Sequence, residues 1–245
     1  TDGLCGDDGG GGRGRIRAML SPRRGLNPMY ANSRVPTSAQ TGIHERLVAL
    51  VDRHQREPFR KPILDYNREA FATSMAAWGG KSPLILDAAC GTGASSVQLA
   101  QRHPHSFVVG VDQSEVRLDT DKGELPANLC LIRADLVDYW RLLADAGVEL
   151  ERHCLFYPNP WPKIGHVSRR WHGHAIFPVL PTLGGVIECR SNWSIYVEEF
   201  AFALGRLLGR DIGWERFDSD DPVSPFERKY RDSGQRLYRC VVDLR

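Results

Sequence analysis

The sequence lacks several features that would have settled its class at once. No apolar run approaches the ~18–20 residues that span a bilayer, so no transmembrane helix is expected. Six cysteines (Cys5, Cys90, Cys130, Cys154, Cys189 and Cys240) form no C-x-x-C pair, and no histidine stands at zinc-ligand spacing. No metal site is therefore expected. Three of these cysteines lie in apolar runs, where a thiol behaves as a small buried hydrophobe. A reducing, cytoplasmic setting fits. A strong charge of one sign is also missing: net charge is +2 and the pI about 8.2, which neither demands nor excludes a nucleic-acid partner. The glycine-rich, charged start does not read as a signal peptide. There is no internal repeat.

What is present is enough for one sizeable core. The 245 residues are 42% hydrophobic and 25% charged, which predicts a single domain with extensions. Charge is uneven along the chain. Residues 1–34 carry six arginines (Arg13, Arg15, Arg17, Arg23, Arg24, Arg34) against three aspartates. Gly9 to Gly12 lead into Arg13-Gly14-Arg15, a composition that cannot bury enough apolar surface to offset chain entropy. Residues 1–40 are expected to form a flexible Gly/Arg-rich arm, either a plain tail or one that tracks phosphates. Residues 41–245 are expected to form one domain, with 41–80 a helical extension.

Ile43, Leu47, Leu50 and Val51 repeat at helical spacing. A second helix is predicted over 62–78, with Pro62 in its first turn. Strands and helices then alternate. Strands are predicted at 83–88, 107–111, 128–133, 153–157, 186–189 and 237–242, and helices at 94–102 and 193–208. Such alternation implies an α/β fold with a mostly parallel sheet and helices on both faces.

The sharpest local signal is Leu84-Ile85-Leu86-Asp87-Ala88-Ala89-Cys90-Gly91-Thr92-Gly93, an apolar strand entering a glycine turn that opens a helix. Glycine is needed where backbone turns sharply beside a ligand. Asp112 closes the next strand, 19 residues after Gly93, at the spacing of a carboxylate that holds ribose hydroxyls. A dinucleotide fingerprint would want a glycine or alanine where Ser96 stands, so a nicotinamide cofactor fits less well. Asp87 would crowd a pyrophosphate with negative charge, but it suits a cofactor with a cationic amino-acid end.

This pattern resembles motif I of the Rossmann-like class I methyltransferases, D-x-x-C-G-T-G. The resemblance implies S-adenosylmethionine as cofactor. Asp87 would face its methionine part, Gly91 and Gly93 would pack against it, Asp112 would take the ribose and Asp135 would meet the adenine amine.

After the fourth strand comes Tyr157-Pro158-Asn159-Pro160-Trp161-Pro162-Lys163. Three prolines in five residues fix a rigid loop. Trp161 offers a flat face for a base and Lys163 a cation for phosphate. His166, Arg169, Arg170, His172 and His174 follow and are expected to form a basic lip. This segment resembles the tRNA (guanine-N7-)-methyltransferase family, whose motif reads P-D-P-W-P-K. Ser191-Asn192-Trp193 aligns with a family T-D-x segment, and Ser224-Pro225-Phe226-Glu227 with T-x-[FY]-E.

The resemblance runs from about residue 83 to the C-terminus. It implies methyl transfer to guanosine N7 in the tRNA variable loop, by a monomer or homodimer. Asn159 and Glu227 would be the catalytic residues, and Asn159 would also approach the cofactor. Lys163, Asn192, Ser224 and Glu227 would contact substrate. Two family aspartates are replaced, by Asn159 and Asn192, and a threonine by Ser224. An asparagine amide cannot accept from both N1–H and the exocyclic amine of guanine as a carboxylate does. These changes keep open a methyltransferase of the same fold acting on a small molecule or protein, and a non-catalytic RNA-binding relative.

Overall fold

The computed structural model describes residues 33–245, so most of the expected arm lies outside it. Helices are α1 (Leu47–Arg56), α2 (Asp65–Trp78), α3 (Ala94–Arg102), α4 (Glu115–Leu118), α5 (Leu136–Asp145), α6 (Ser194–Leu208) and α7 (Pro225–Asp232). Strands are β1 (Leu84–Ala88), β2 (Phe107–Asp112), β3 (Leu129–Arg133), β4 (Arg152–Phe156), β5 (Val186–Ser191), β6 (Glu215–Phe217) and β7 (Leu237–Asp243). They form one sheet of order β3-β2-β1-β4-β5-β7-β6. The first five pair in parallel, and β7 runs antiparallel to β5 and β6. Strand order reverses between β1 and β4. A ligand crevice forms outside the carboxyl ends at such a switch point.

Successive strand residues serve opposite faces. Leu84, Leu86 and Ala88 of β1 join a large core with α1, α2, α5 and α6, while Ile85 joins a smaller one with Leu99 and Ala100 of α3. Beside α3 the sheet opens into a groove of about 420 Å³ lined by charged side chains. Those charges are paired: Arg152 of β4 with Glu188 of β5 at 3.2 Å, Arg190 with Glu188 along β5 at 2.7 Å, and Arg239 of β7 with Glu215 of β6 at 2.6 Å. In the large core a buried imidazole on β4 is matched to an indole. Trp140 Nε1 donates to His153 Nε2 at 3.0 Å. Burial pushes His153 down to about 3, which keeps it a neutral acceptor.

The expected helix start at Pro62 is corrected to Asp65. Leu64 is extended (ψ 144°) and its N–H donates to Asp138 Oδ2 at 3.1 Å. The same oxygen accepts from Asn67 at 2.7 Å, and Asn67 in turn accepts from the Asp135 N–H at 2.9 Å. A carboxylate on α5 thus supplies the cap that α2 lacks in its own sequence.

Candidate functional site

Two sets of side chains meet at the carboxyl edge of the sheet. The first surrounds the β1 turn. Asp87 is buried, and its Oδ2 accepts from Ser95 Oγ at 2.6 Å and Ser96 Oγ at 2.7 Å. Ser96 fits there because Gly110 leaves room for it; a Cβ at Gly110 would lie 2.3 Å from the hydroxyl. Asp87 Oδ1 is buried without any partner. Burial, offset in part by the two serines, raises this carboxyl to about 6. Asp112 ties the turn to β2: Oδ2 accepts from the Gly91 N–H and Oδ1 from the Ser114 N–H, both at 2.9 Å. Each oxygen keeps a second lone pair. Asp135 caps α5 through the Val137 N–H at 2.8 Å.

The turn alternates left-handed residues: Ala89 (φ 60°), Gly91 (62°) and Gly93 (79°). A Cβ on Gly93 would press on Leu131 at 2.7 Å, whereas one on Gly91 would meet nothing within 4 Å. Gly91 therefore borders open space, in the turn that follows the strand bearing Asp87. An amino-acid ammonium and a ribose suit that cradle.

The second set follows β4 and β5. Asn159 is exposed, and its Oδ1 accepts from the Trp161 N–H at 3.3 Å in an Asx turn. Lys163 is exposed. Among the described residues, the non-glycine residues at positive φ are Ala89, Tyr157 (54°) and Trp161 (45°), so all the backbone strain of this kind sits at this edge. Trp161 does not present a bare face: Arg169 lies over its ring at 4.9 Å and His166 meets it edge-on at 5.6 Å.

The expected basic lip is corrected. Arg170 and His172 are fully buried and bind Glu199 on α6, at 2.5 and 2.8 Å. His174 packs against Phe59 and Trp171. Of the expected lip, His166 and Arg169 stand against the Trp161 ring.

Asn192 is buried, and its Nδ2 donates to Gln235 Oε1 at 2.8 Å. Ser224 caps α7, accepting from the Glu227 N–H at 3.2 Å. Glu227 is wholly buried. Both its oxygens accept from Arg190 Nη1 at 3.0 Å, and Oε1 also accepts from Ser219 Oγ at 2.5 Å. Each of its oxygens already has a donor, a state the S-P-F-E spacing could not reveal because Arg190 is remote in sequence. The Tyr157 side chain lies beside it, half-buried. Burial first, then the charge of Glu227, raises that phenol. Among the described residues no group of three or more His, Cys, Asp or Glu could hold a metal.

A family model described as "Putative methyltransferase" matches residues 81–240. A tRNA (guanine-N(7)-)-methyltransferase of Mycolicibacterium paratuberculosis is 31% identical over 205 residues, 74% of each chain. The chain belongs to the tRNA (guanine-N7-)-methyltransferase family. Another such enzyme, from Brevibacillus brevis, is 29% identical over 185 residues, covering 67% of this chain and 84% of that one. In fold the chain is similar to an antibiotic-related methyltransferase (TM-score 0.52, 14% identity, 75% of this chain and 96% of that one). A 16S rRNA methyltransferase is equally similar in fold (TM-score 0.52, 15% identity, 75% and 94%). The family member described here is an S-adenosylmethionine-dependent methyltransferase of class I, at low identity to its curated relatives. Its cradle at Asp87, Gly91 and Asp112 is of the right chemistry for that methyl donor.

Proposed function

We propose that this enzyme methylates N7 of guanosine in tRNA, with the variable loop as the region acted on. The observation that carries the reading is the strained Tyr157–Lys163 loop at the carboxyl edge of β4, beside the cofactor cradle, in a chain whose curated relatives are named for this reaction. S-adenosylmethionine supplies a methyl group on a sulfonium. Guanine N7 already carries a lone pair, so no general base is required. The protein's task is to align N7 with the methyl carbon and hold the base out of its stack.

Asp87, Gly91, Gly93, Asp112 and Asp135 are assigned to the cofactor. Asn159 is assigned to the junction of cofactor and base, and Lys163 to phosphate. Asn192, Ser224 and Glu227 are assigned to the base side. Glu227 shares its charge with Arg190, so in this state it sets the first turn of α7, and contact with a base edge requires Arg190 to yield. Residues 41–245 act as one methyltransferase unit in the cytoplasm; the expected arm over 1–40 is corrected at its end, where Ser33, Ser38 and Gln40 are bonded to the domain, which leaves 1–32 as the segment proposed to run along the RNA. No helix among the described residues is long and apolar enough to cross a membrane.

The test is labelled-methyl transfer to unmodified tRNA. Methyl uptake is expected, with none when the target guanosine is 7-deazaguanosine; uptake by the deaza substrate would exclude N7. Asn159→Asp is expected to raise kcat severalfold, since a carboxylate stabilises the cationic product. An unchanged rate would show that position 159 has been repurposed. One observation favours a second reading: none of positions 159, 192 and 227 offers an unpaired carboxylate. Transfer to a small molecule or protein but not to tRNA would establish it. Binding of S-adenosylhomocysteine with no transfer to any acceptor would indicate a non-catalytic relative.

A further inference from the structure

We propose that Glu199 is a positioning residue for methyl transfer, acting through Arg170 on the Pro158–Lys163 loop and through Gln40 and His44 on the strap of residues 38–44.

The loop needs outside help to hold its shape. Pro158, Pro160 and Pro162 have no N–H, and Trp161 sits in a left-handed conformation that L residues avoid. Its carbonyls are held by donors from elsewhere. Trp161 O accepts from Arg170 Nε and Nη2, each at 3.2 Å. Pro162 O accepts from Ser38 Oγ at 2.6 Å. Ile164 O lies 3.1 Å from His44 Nε2.

All three donors lead back to one carboxylate. Glu199 Oε2 accepts from Arg170 Nη1 and His172 Nε2. Its Oε1 accepts from Gln40 Nε2 at 2.5 Å and from the His44 N–H at 2.9 Å. Gln40 closes the net: its Oε1 accepts from Arg170 Nη1 at 3.0 Å and its N–H donates to Ser38 Oγ at 3.1 Å. Glu199 thus receives four donors, enough for a carboxylate's lone pairs. The Arg170 guanidinium also lies over Trp193 at 4.8 Å. Replacing a buried ion pair by apolar packing is often neutral for stability, so we assign this one to orientation. The orientation fixed here is that of the backbone bearing Asn159 and Lys163.

The full chain is tested as Gln40→Ala, which changes no charge, and as Glu199→Gln. Gln40→Ala should melt cooperatively and bind S-adenosylhomocysteine within about twofold of the parent. Amide exchange at Trp161 and Lys163 should quicken. The kcat for tRNA should fall on the order of tenfold, because small misplacements of reacting groups are costly, while KM changes little. Glu199→Gln should show the same split; if it fails to fold, Gln40→Ala alone decides. Unchanged exchange at Trp161 and Lys163, or loss of cofactor binding in step with kcat, would overturn the assignment. The kinetic arm rests on tRNA being the acceptor. The exchange arm needs no acceptor, so a wrong substrate would leave it standing.

Discussion

Single residues in the β1 turn separate fold from ligand. Gly91 and Gly93 share a left-handed backbone, so alanine at either costs about 1–2 kcal/mol of stability. They differ in what the new methyl meets. At Gly93 it strikes Leu131; at Gly91 it stands in the cradle. Gly91→Ala should therefore lose far more S-adenosylhomocysteine affinity for its stability loss than Gly93→Ala, as calorimetry and urea unfolding would show. Equal affinities would remove the turn from the cofactor site. Asp87 gives a pH signature. Its folded value, about 6, exceeds its ordinary 3.8, so its contribution to the stability of the free protein is full below about 3.8 and lost as pH rises through about 6. A cationic ligand beside Oδ1 favours the ionised form. Cofactor affinity should thus run the opposite way, about tenfold weaker at pH 5 than at pH 7. Flat affinity over that range would separate Asp87 from the ligand's charge.

At the level of elements, Ser224 caps α7 and Glu227 fastens that helix to Arg190 of β5. Ser224→Ala should cost about 1 kcal/mol in urea unfolding. Methyl transfer should fall beyond what that loss explains if the first turn of α7 faces the acceptor. The sheet strands β1 to β5 and β7 were legible because buried apolar runs bounded by turn residues leave little choice. The short β6, with Glu215 and Arg216 exposed, carries no such run. Helix α5 escaped the sequence reading although Leu136, Tyr139, Trp140 and Leu143 are buried along it, because it follows β3 with only Ala134 and Asp135 between. The positions of Asp87, Asp112 and Asn159 at strand ends were legible from spacing. The partners of Glu227 and the burial of Arg170 were not. Charged side chains read as surface unless a counter-charge from a distant segment is known, and Arg190 and Glu199 lie 37 and 29 residues away.

For the whole molecule, charge is nearly balanced while residues 1–34 are rich in arginine. Removing residues 1–32 should weaken tRNA binding and flatten its dependence on salt, since each lost phosphate contact lowers the slope by about 0.7–0.9. An unaltered slope would show that the arm makes no phosphate contacts. The strap that follows sets a timing problem. Its bonds join residues 120 to 159 positions apart, and Ser33 reaches Gln235 across 202. At synthesis rates of about 5–20 residues per second, roughly 10–40 s separate those two ends on the ribosome. Until α6 and β7 emerge, Ser33, Gln40 and His44 lack the side chains that fasten them, so this strap is made well before it can be tied down.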